Sequence, residues 1–224
     1  MVEGTAPVVP TQEKFDFIGR HLCLDFCNTV GGKRGGVTRE YLNSYADFIV
    51  WCEQAALLSK VQARFLMEGA AKHPSEANEV YSRAVELREA IYKIFHALSE
   101  QRKPSKIELS KLNSELAQAL GRLRIAATTD GFRWEWTHSE DALDDPLGPL
   151  ARAAADLLTR EADCGHVGQC QGETCGWLFI DSSKNHSRRW CDMRDCGNRA
   201  KVRRHRKRIA NPKSELRNPE TETH

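Results

Sequence analysis

Four cysteines in the C-terminal part of the chain have the spacing of a metal site. Four residues separate Cys170 from Cys175, four separate Cys191 from Cys196, and 15 residues lie between the two pairs. If the insert brings the pairs together, their thiolates can complete a tetrahedron, which is the geometry that zinc favours in structural sites. Four protein ligands leave no position open for a substrate, so the spacing predicts a structural Zn²⁺ rather than a catalytic one.

The alternative for these cysteines is a small core of buried thiols. The surrounding stretch of about 40 residues is polar and small, so a metal ion is the simpler source of its folding energy. Other cysteines have different surroundings: Cys23, Cys27 and Cys52 lie among Leu, Phe and Trp, which predicts core packing. The weaker candidates for substitute ligands are Cys164, His166, His186 and His205.

The segment that contains the second cysteine pair is strongly basic. Residues 184–208 carry a net charge of +9, whereas the whole chain carries +2 and the remainder therefore −7. An acidic body with a basic end is typical of a protein that docks one part on a polyanion. We predict a helix after Cys196 that ends near Asn211-Pro212 and fits the major groove of double-stranded DNA. The predicted contact residues are Arg188, Arg189, Arg199, Lys201, Arg203, Arg204, Arg206, Lys207 and Arg208.

Several elements must position these residues. Residues 177–180 are predicted as a strand, 181–185 as a turn and 186–191 as a returning strand that carries Arg188 and Arg189. At about 100° per residue, Val202 and Ile209 share one narrow stripe of the basic helix, which predicts that this stripe packs on the zinc-bound hairpin.

Two questions stay open: which nucleic acid the finger binds, and whether the basic helix binds a nucleic acid at all. Trp177 and Trp190 are expected in the core of the small module, so few aromatic residues remain for stacking single-stranded bases. This favours DNA, and RNA stays an alternative. A zinc-stabilised docking module for proteins is another, as is a basic helix that is merely solvated or pairs with the acidic body.

The remainder of the chain is predicted to be mainly α-helical. Apolar residues recur at helical spacing after residue 41, and Ser59 and Ser105 are placed to cap helices. Two β-rich runs joined at Asp130-Gly131 predict one β-hairpin. The apolar run 15–30 is compatible with helix or strand, and the glycine-rich stretch 31–36 is predicted as a loop.

We therefore expect a mainly α fold with two parts. The predicted divisions are a helical domain with one β-hairpin over residues 14–162, a small treble-clef-like zinc finger of a β-hairpin and a basic helix over 163–210, and a disordered tail over 211–224.

Three polar residues interrupt the apolar run near the N-terminus. Asp25, Asn28 and Thr29 precede the glycine-rich loop, and together these could form a small-ligand pocket with the loop as its lip. The alternative, which we favour, is that Asp25 and Asn28 hydrogen bond to local backbone and that the loop is flexible. A regulator with a finger at one end often senses a small-molecule effector at the other, so such an effector is a candidate partner.

Residues 170–208 resemble the CGNR zinc finger, which is named for the motif found here as Cys196-Gly197-Asn198-Arg199. The similarity extends to Trp177-Leu178-Phe179, Asn185, 188–191 and the run from Cys196 to Arg204. Residues 20–53 are similar to the start of the ABATE domain, which usually precedes that finger, at 22–26, Asn28-Thr29 and Trp51. The resemblance implies a stress-linked transcription regulator that binds DNA through its finger.

Other classes of protein lack support in the sequence. It contains no nucleophile elbow, metalloprotease helix or dinucleotide fingerprint, so we expect no catalytic activity. No run approaches the roughly 18 apolar residues of a membrane span, and the N-terminal residues do not resemble a secretory signal. We expect a cytoplasmic protein with reduced cysteines. Because one finger offers little contact area on DNA, we also expect a homodimer.

Overall fold

The computed structural model describes residues 15–137, 142–160 and 164–210. Within them, the α-helices are α1 (Leu22–Cys27), α2 (Tyr45–Gln54), α3 (Lys60–Lys72), α4 (Pro74–Ser99), α5 (Lys106–Leu120), α6 (Leu147–Thr159) and α7 (Asn198–Ala210). Three antiparallel pairs of strands join β1 (Val30–Gly32) to β2 (Thr38–Glu40), β3 (Leu123–Thr128) to β4 (Gly131–Trp136), and β5 (Val167–Gln169) to β6 (Leu178–Ile180). The mainly α prediction is confirmed, whereas the predicted tail 211–224 lies outside the described residues. None of the helices described is both long and apolar enough to cross a membrane.

Helix α4 forms the centre of the helical body. Its buried positions include Val80, Ala84, Leu87, Ile91 and Phe95, which recur every three or four residues and so share one face. Helices α1, α2, α3, α5 and α6 all contact α4, and α5 also packs along α6. Cysteines 23, 27 and 52 are fully buried in this core, which confirms their predicted packing role.

Local signals placed several helix starts correctly. Ser59 caps α3, where its hydroxyl accepts from the Gln62 amide and the Gln62 side chain accepts from the Ser59 amide. Ser105 caps α5 by accepting from the amide of Ile107. The ambiguous run before residue 30 forms helix α1 and then enters β1.

The helical body contains one hairpin more than predicted. The β3–β4 hairpin turns before Gly131 as expected, with Ile125 opposite Trp134. The glycine-rich stretch, predicted as a loop, instead supplies strand β1 and the turn of a second hairpin. Gly32 has φ +88, and a Cβ there would lie 2.3 Å from the carbonyl oxygen of Val37, so this tight pairing requires glycine.

Two arginines anchor the β1–β2 hairpin to α4. The Arg34 guanidinium stacks 3.8 Å above the Tyr92 ring and donates to the Cys27 carbonyl at 2.8 Å. Arg88, almost fully buried, donates to both carboxylate oxygens of Glu40 at 2.7 and 2.6 Å. These contacts hold the glycine-rich segment against the helical body, and its predicted flexibility stays a prediction.

The hairpin of the finger packs on the helical body. Strand β6 contacts α1 and α4, and Leu178 is fully buried in the same core as the helices. The Asn28 side chain pairs with the backbone of Leu178: its Nδ2 donates to the Leu178 carbonyl and its Oδ1 accepts from the Leu178 amide, both at 2.9 Å. Trp177 Nε1 adds a hydrogen bond to the Val30 carbonyl, also 2.9 Å long.

The strand pairing of the finger differs from the prediction. Strand β6 was expected to pair with residues 186–191, but it pairs with β5, which precedes it. The segment after β6 folds around Asp181 instead: its carboxylate accepts from the amides of Ser183 at 2.9 Å and Arg188 at 2.7 Å, and His186 has φ 44. A side chain that takes up backbone donors, with a left-handed residue between them, produces a compact turn rather than a strand.

Candidate metal centre and nucleic-acid interface

The four predicted zinc ligands lie together in the finger. The Sγ atoms of Cys170, Cys175, Cys191 and Cys196 all fall within 4.8 Å of one another, and all four residues are buried. Cys191 Sγ lies 3.7 Å from Cys175 Sγ and 3.6 Å from Cys196 Sγ. Four sulfurs at about 2.3 Å from one zinc would form a tetrahedron with edges of about 3.8 Å. The cluster therefore fits one Zn²⁺, as the spacing predicted.

The thiols of the cluster shift one another's pKa values. Hydrogen bonds from the Cys175 and Cys191 thiols lower the pKa of Cys170. The pKa values of Cys175 and Cys191 are raised because each donates to Cys170 and because both are buried. Four buried thiolates at this spacing repel one another, so all four ionise together only when a metal compensates their charge.

Residues of the Cys-Gly-Asn-Arg motif make contacts at the cluster and beside it. Cys196 supplies a ligand, and a Cβ on Gly197 would lie 2.8 Å from the sulfur of Met193. Asn198 Nδ2 donates to the Arg194 carbonyl at 2.9 Å, across the π-helical turn Met193–Gly197. Arg199 donates to Cys196 Sγ at 3.3 Å and to Asp195 at 2.6 Å. The motif thus joins the metal cluster directly to the first turn of α7.

Helix α7 carries the basic residues away from the cluster. Seven of its 13 residues are Lys or Arg, and residues 201–210 are all exposed. Arg203 pairs with Glu173, so the two arginines nearest the cluster contact acidic residues of the finger itself. Within the part of the chain that the structure describes, the other five cations make no ion pair; these are Lys201, Arg204, Arg206, Lys207 and Arg208.

The predicted apolar stripe of α7 does not pack on the finger. Val202 is 49% exposed and Ile209 is 66% exposed. The helix is attached instead through its first turn and through the Arg199 and Arg203 ion pairs. The expectation that Val202 and Ile209 hold the helix against the hairpin is therefore wrong.

The two arginines before the second cysteine pair differ in their surroundings. The Arg188 guanidinium lies 4.3 Å above the Phe179 ring and donates to the carbonyls of Trp190 and Cys191, so it holds the finger together. Arg189 is exposed, and its Nε donates to Gln171 Oε1 at 2.7 Å. The predicted DNA contacts of both arginines stay predictions, and for Arg188 the donors are already engaged.

The finger's tryptophans and histidines lie near the cluster in different surroundings. Trp177 and Trp190 are partly buried and pack against the cysteine cluster, as expected. Among the described residues, the only group of Cys, His, Asp and Glu side chains positioned to hold a metal is the four-cysteine cluster. His166 and His186 instead stack on each other with ring centroids 3.7 Å apart.

The structure places Asp25, Asn28 and Thr29 on the wall of a cavity of about 260 Å³. They also tie backbone: Asp25 accepts from the Gly19 amide at 2.7 Å and Thr29 donates to the Phe26 carbonyl at 2.7 Å, besides the Asn28–Leu178 pair. Burial raises the pKa of Asp25 to about 6, although the Gly19 and His21 amides oppose the shift. The favoured backbone role is therefore present, and a cavity exists beside it.

The sequence did not reveal the other residues of this cavity. Its remaining wall is formed by Phe15, Asp16, Arg39, Tyr41, Trp51 and Trp177. They come from the N-terminal segment, strand β2 and its continuation, helix α2 and the finger. Residues so far apart in the chain give no local signal, because the folding of the body and the packing of the finger on it bring them together.

Comparison with known families agrees with this architecture. Residues 20–161 match the model of the ABATE family, described as "Putative stress-induced transcription regulator". Residues 166–209 match the model of the CGNR zinc finger, so both resemblances found in the sequence are confirmed. No curated protein sequence matches the chain. Since the first match covers more than half of the chain and the second covers the cysteine cluster and α7, the chain belongs to the ABATE family and carries a C-terminal CGNR zinc finger.

Proposed function

We propose that this chain is a zinc-dependent, DNA-binding transcription regulator. The observation that carries the proposal is the exposed helix α7, with five cations that pair with no acid among the described residues. Like charges this close on one helix repel one another, and a polyanion relieves that repulsion while releasing its own counterions. Duplex DNA supplies such a partner with a groove that admits a helix.

The pairing of Arg199 and Arg203 favours DNA over a helix that folds back on the acidic body. Their acidic partners, Asp195 and Glu173, both belong to the finger, so these contacts set the angle of α7 rather than neutralise it. We propose that most cations of α7 bind phosphate and fix register, and that one or two arginines read guanine.

The proposal is tested with a pair of variants of equal charge change. Arg204→Ala/Arg208→Ala removes two unpaired cations of α7, whereas Lys103→Ala/Lys111→Ala removes two exposed cations of the helical body. We expect the α7 variant to bind a labelled duplex at least tenfold more weakly at 100 mM salt, and its salt slope to fall by about 2 because two phosphate contacts are lost. The control should bind as the parent does. Equal affinities for parent and α7 variant would overturn the proposal.

The same titration separates the alternatives. RNA binding predicts that an RNA hairpin competes at least as well as the duplex. A protein-docking module predicts little dependence on salt. Selection of bound duplexes from a random pool, with and without a chelator, would then show whether a sequence is read and whether zinc is required.

We further propose that the protein is a homodimer that uses the β3–β4 hairpin. The strand register places Ile125, Phe132 and Trp134 on one face, and all three are exposed, by 64, 81 and 57% respectively. The same face of a second copy would cover them in a two-fold interface, which suits paired half-sites on DNA. We expect Phe132→Ser/Trp134→Ser to sediment as a monomer and Arg124→Ser, on the opposite face, to remain a dimer. A monomeric parent would contradict this assignment.

The remaining parts of the proposed function concern effector, location and catalysis. We propose that the cavity beside Asp25, Asn28 and Thr29 takes a small-molecule effector, that the protein acts in the cytoplasm, and that it is not an enzyme. The support for the last point is that four thiolates close the coordination shell of the metal. The same binding assay, run with and without a candidate effector, would measure whether the effector weakens or strengthens DNA binding.

A further inference from the structure

Aromatic side chains and carboxylates share the cavity beside α1. Phe15, Tyr41, Trp51 and Trp177 supply four aromatic walls around about 260 Å³. Asp16 and Asp25 line the same space. Aromatic faces carry partial negative charge and attract cations, and carboxylates beside them add to this attraction.

A second cavity of about 290 Å³ adjoins the first and reaches the metal cluster. The two share Asp16, Tyr41 and Trp177, so Trp177 stands between them. The second cavity is lined by Asp192 and Asp195 and by three of the four cysteines. The two cavities therefore lie on either side of Trp177, one beside Asp25 and the other beside the ligand sulfurs.

The charged residues that line the two cavities determine whether an occupant is a cation or an anion. Four aspartates line the two cavities against two arginines, Arg39 and Arg199, and Arg199 already pairs with Asp195. A zinc ion with four thiolates adds a further net charge of about −2. An anion would be repelled here, whereas an organic cation would find both carboxylates and aromatic surface.

We infer that the cavity between the helical body and the finger binds a small alkylammonium compound. Its ammonium group lies against Asp16 and Asp25, and its carbon chain contacts Phe15 and Trp177. Trp51 is 1% exposed and the Arg39 guanidinium lies 4.9 Å from the centre of the Tyr41 ring, so these two rings offer the chain little surface. Trp177 precedes β6, follows Cys175 by two residues and holds the Val30 carbonyl, so an occupant that packs on it tightens the contact between the body and the finger. This regulatory consequence rests on the proposed DNA binding, but the binding of the cation does not.

The experiment uses the zinc-loaded full chain and calorimetric titration at constant ionic strength. The probe is 1,4-diaminobutane, and the neutral 1,4-butanediol of similar size is its matched control. We expect saturable binding of the diamine and none of the diol. Asp25→Asn, which retains an oxygen to accept from Gly19, should weaken the diamine at least tenfold. Asp16→Asn, at an exposed position that does not threaten folding, should weaken it severalfold.

A carboxylate outside the cavity provides the control variant, Asp130→Asn in the turn of the β3–β4 hairpin, which should bind as the parent does. Equal heats for diamine and diol would overturn the inference, as would unchanged affinity in both the Asp16 and Asp25 variants. Diamine binding by a protein that fails to bind duplex DNA would overturn the proposed function and leave this site standing.

Discussion

The helical body and helix α7 use arginine in opposite ways. In the body, Arg83 pairs with Glu115 and Asp144, and Arg88 is buried against Glu40. In α7, most cations point into solvent without an acidic partner among the described residues. Charged groups that serve the fold are paired, because an unpaired buried charge is costly. Exposed cations carry no such cost, and the unpaired row on α7 supports the proposed contact with DNA.

The two regions also differ in what holds them together. The body buries a continuous core of aliphatic and aromatic residues around α4. The finger has a second core made of four cysteines and Phe179, with two tryptophans packed against it. So small a core supplies little stability by itself, and the metal must supply the rest. The shared hairpin β5–β6 is where the metal-held part meets the apolar one.

Loss of a zinc ligand should produce the largest effect. Apparent zinc binding in finger peptides is worth about 10–16 kcal/mol, so Cys175→Ser should release the metal and unfold residues 170–210. The helical body should stay folded, although it should melt several degrees lower because Leu178 packs in its core. Zinc analysis and hydrogen exchange measure the two results. Cys164→Ser, a cysteine outside the cluster, is the control, and unchanged zinc content in Cys175→Ser would refute the ligand assignment.

The next largest effect is expected from loss of the hydrogen bonds that join the helical body to the finger. Asn28→Ala would leave the buried amide and carbonyl of Leu178 without partners, at a cost of about 2–4 kcal/mol in the free energy of unfolding. We expect both regions to lose stability together in chemical denaturation. Asn113→Ala, at an exposed position on α5, should change stability by less than about 0.5 kcal/mol. Destabilisation of the finger alone would show that the two regions are independent.

The parts of the molecule that sequence predicted best are those fixed by local chemistry. Cysteine spacing located the metal site, Ser59 and Ser105 located helix starts, and Asp130-Gly131 located a hairpin. Each signal depends on residues close together in the chain. The zinc cluster joins two such local pairs, and its chemistry permits few alternatives.

The parts that sequence missed depend on side chains meeting over long separations. Strand β6 pairs upstream because Asp181 turns the following segment and Asn28 holds Leu178 from 150 residues away. The β1–β2 hairpin forms because Arg34 and Arg88 anchor it to α4. A stripe of apolar residues predicted packing for Val202, but helical periodicity does not reveal whether any surface lies opposite the stripe.

The buried carboxyl of Asp25 should give a pH-dependent effect at the boundary of the two regions. Its pKa of about 6 in the folded chain exceeds the ordinary value near 3.9, so its contribution to stability falls as pH rises from about 4 to about 6. Asp25→Asn removes this loss and should raise stability at pH 7.5 by about 2 kcal/mol relative to the parent. The Gly19 and His21 amides donate to the group, Asp16 and Arg39 line the same cavity, and all remain in the variant. The measurement is the difference in unfolding free energy between variant and parent from pH 4 to 7.5, and a difference independent of pH would contradict the prediction.

The smallest effect is expected at the two exposed apolar residues of α7. Val202→Ala/Ile209→Ala shortens two side chains of α7 that are 49 and 66% exposed, and alanine favours helix more than either. We therefore expect the stability and zinc affinity of the finger to change by less than about 0.5 kcal/mol, whereas removing a packed Val or Ile would cost several times more. Hydrogen exchange at the amides of the finger measures its stability, and competition with a chelator measures its zinc affinity. A loss of 2 kcal/mol or more would mean that α7 packs as its periodicity suggests, and that its cations are oriented by a core rather than by the Arg199 and Arg203 ion pairs.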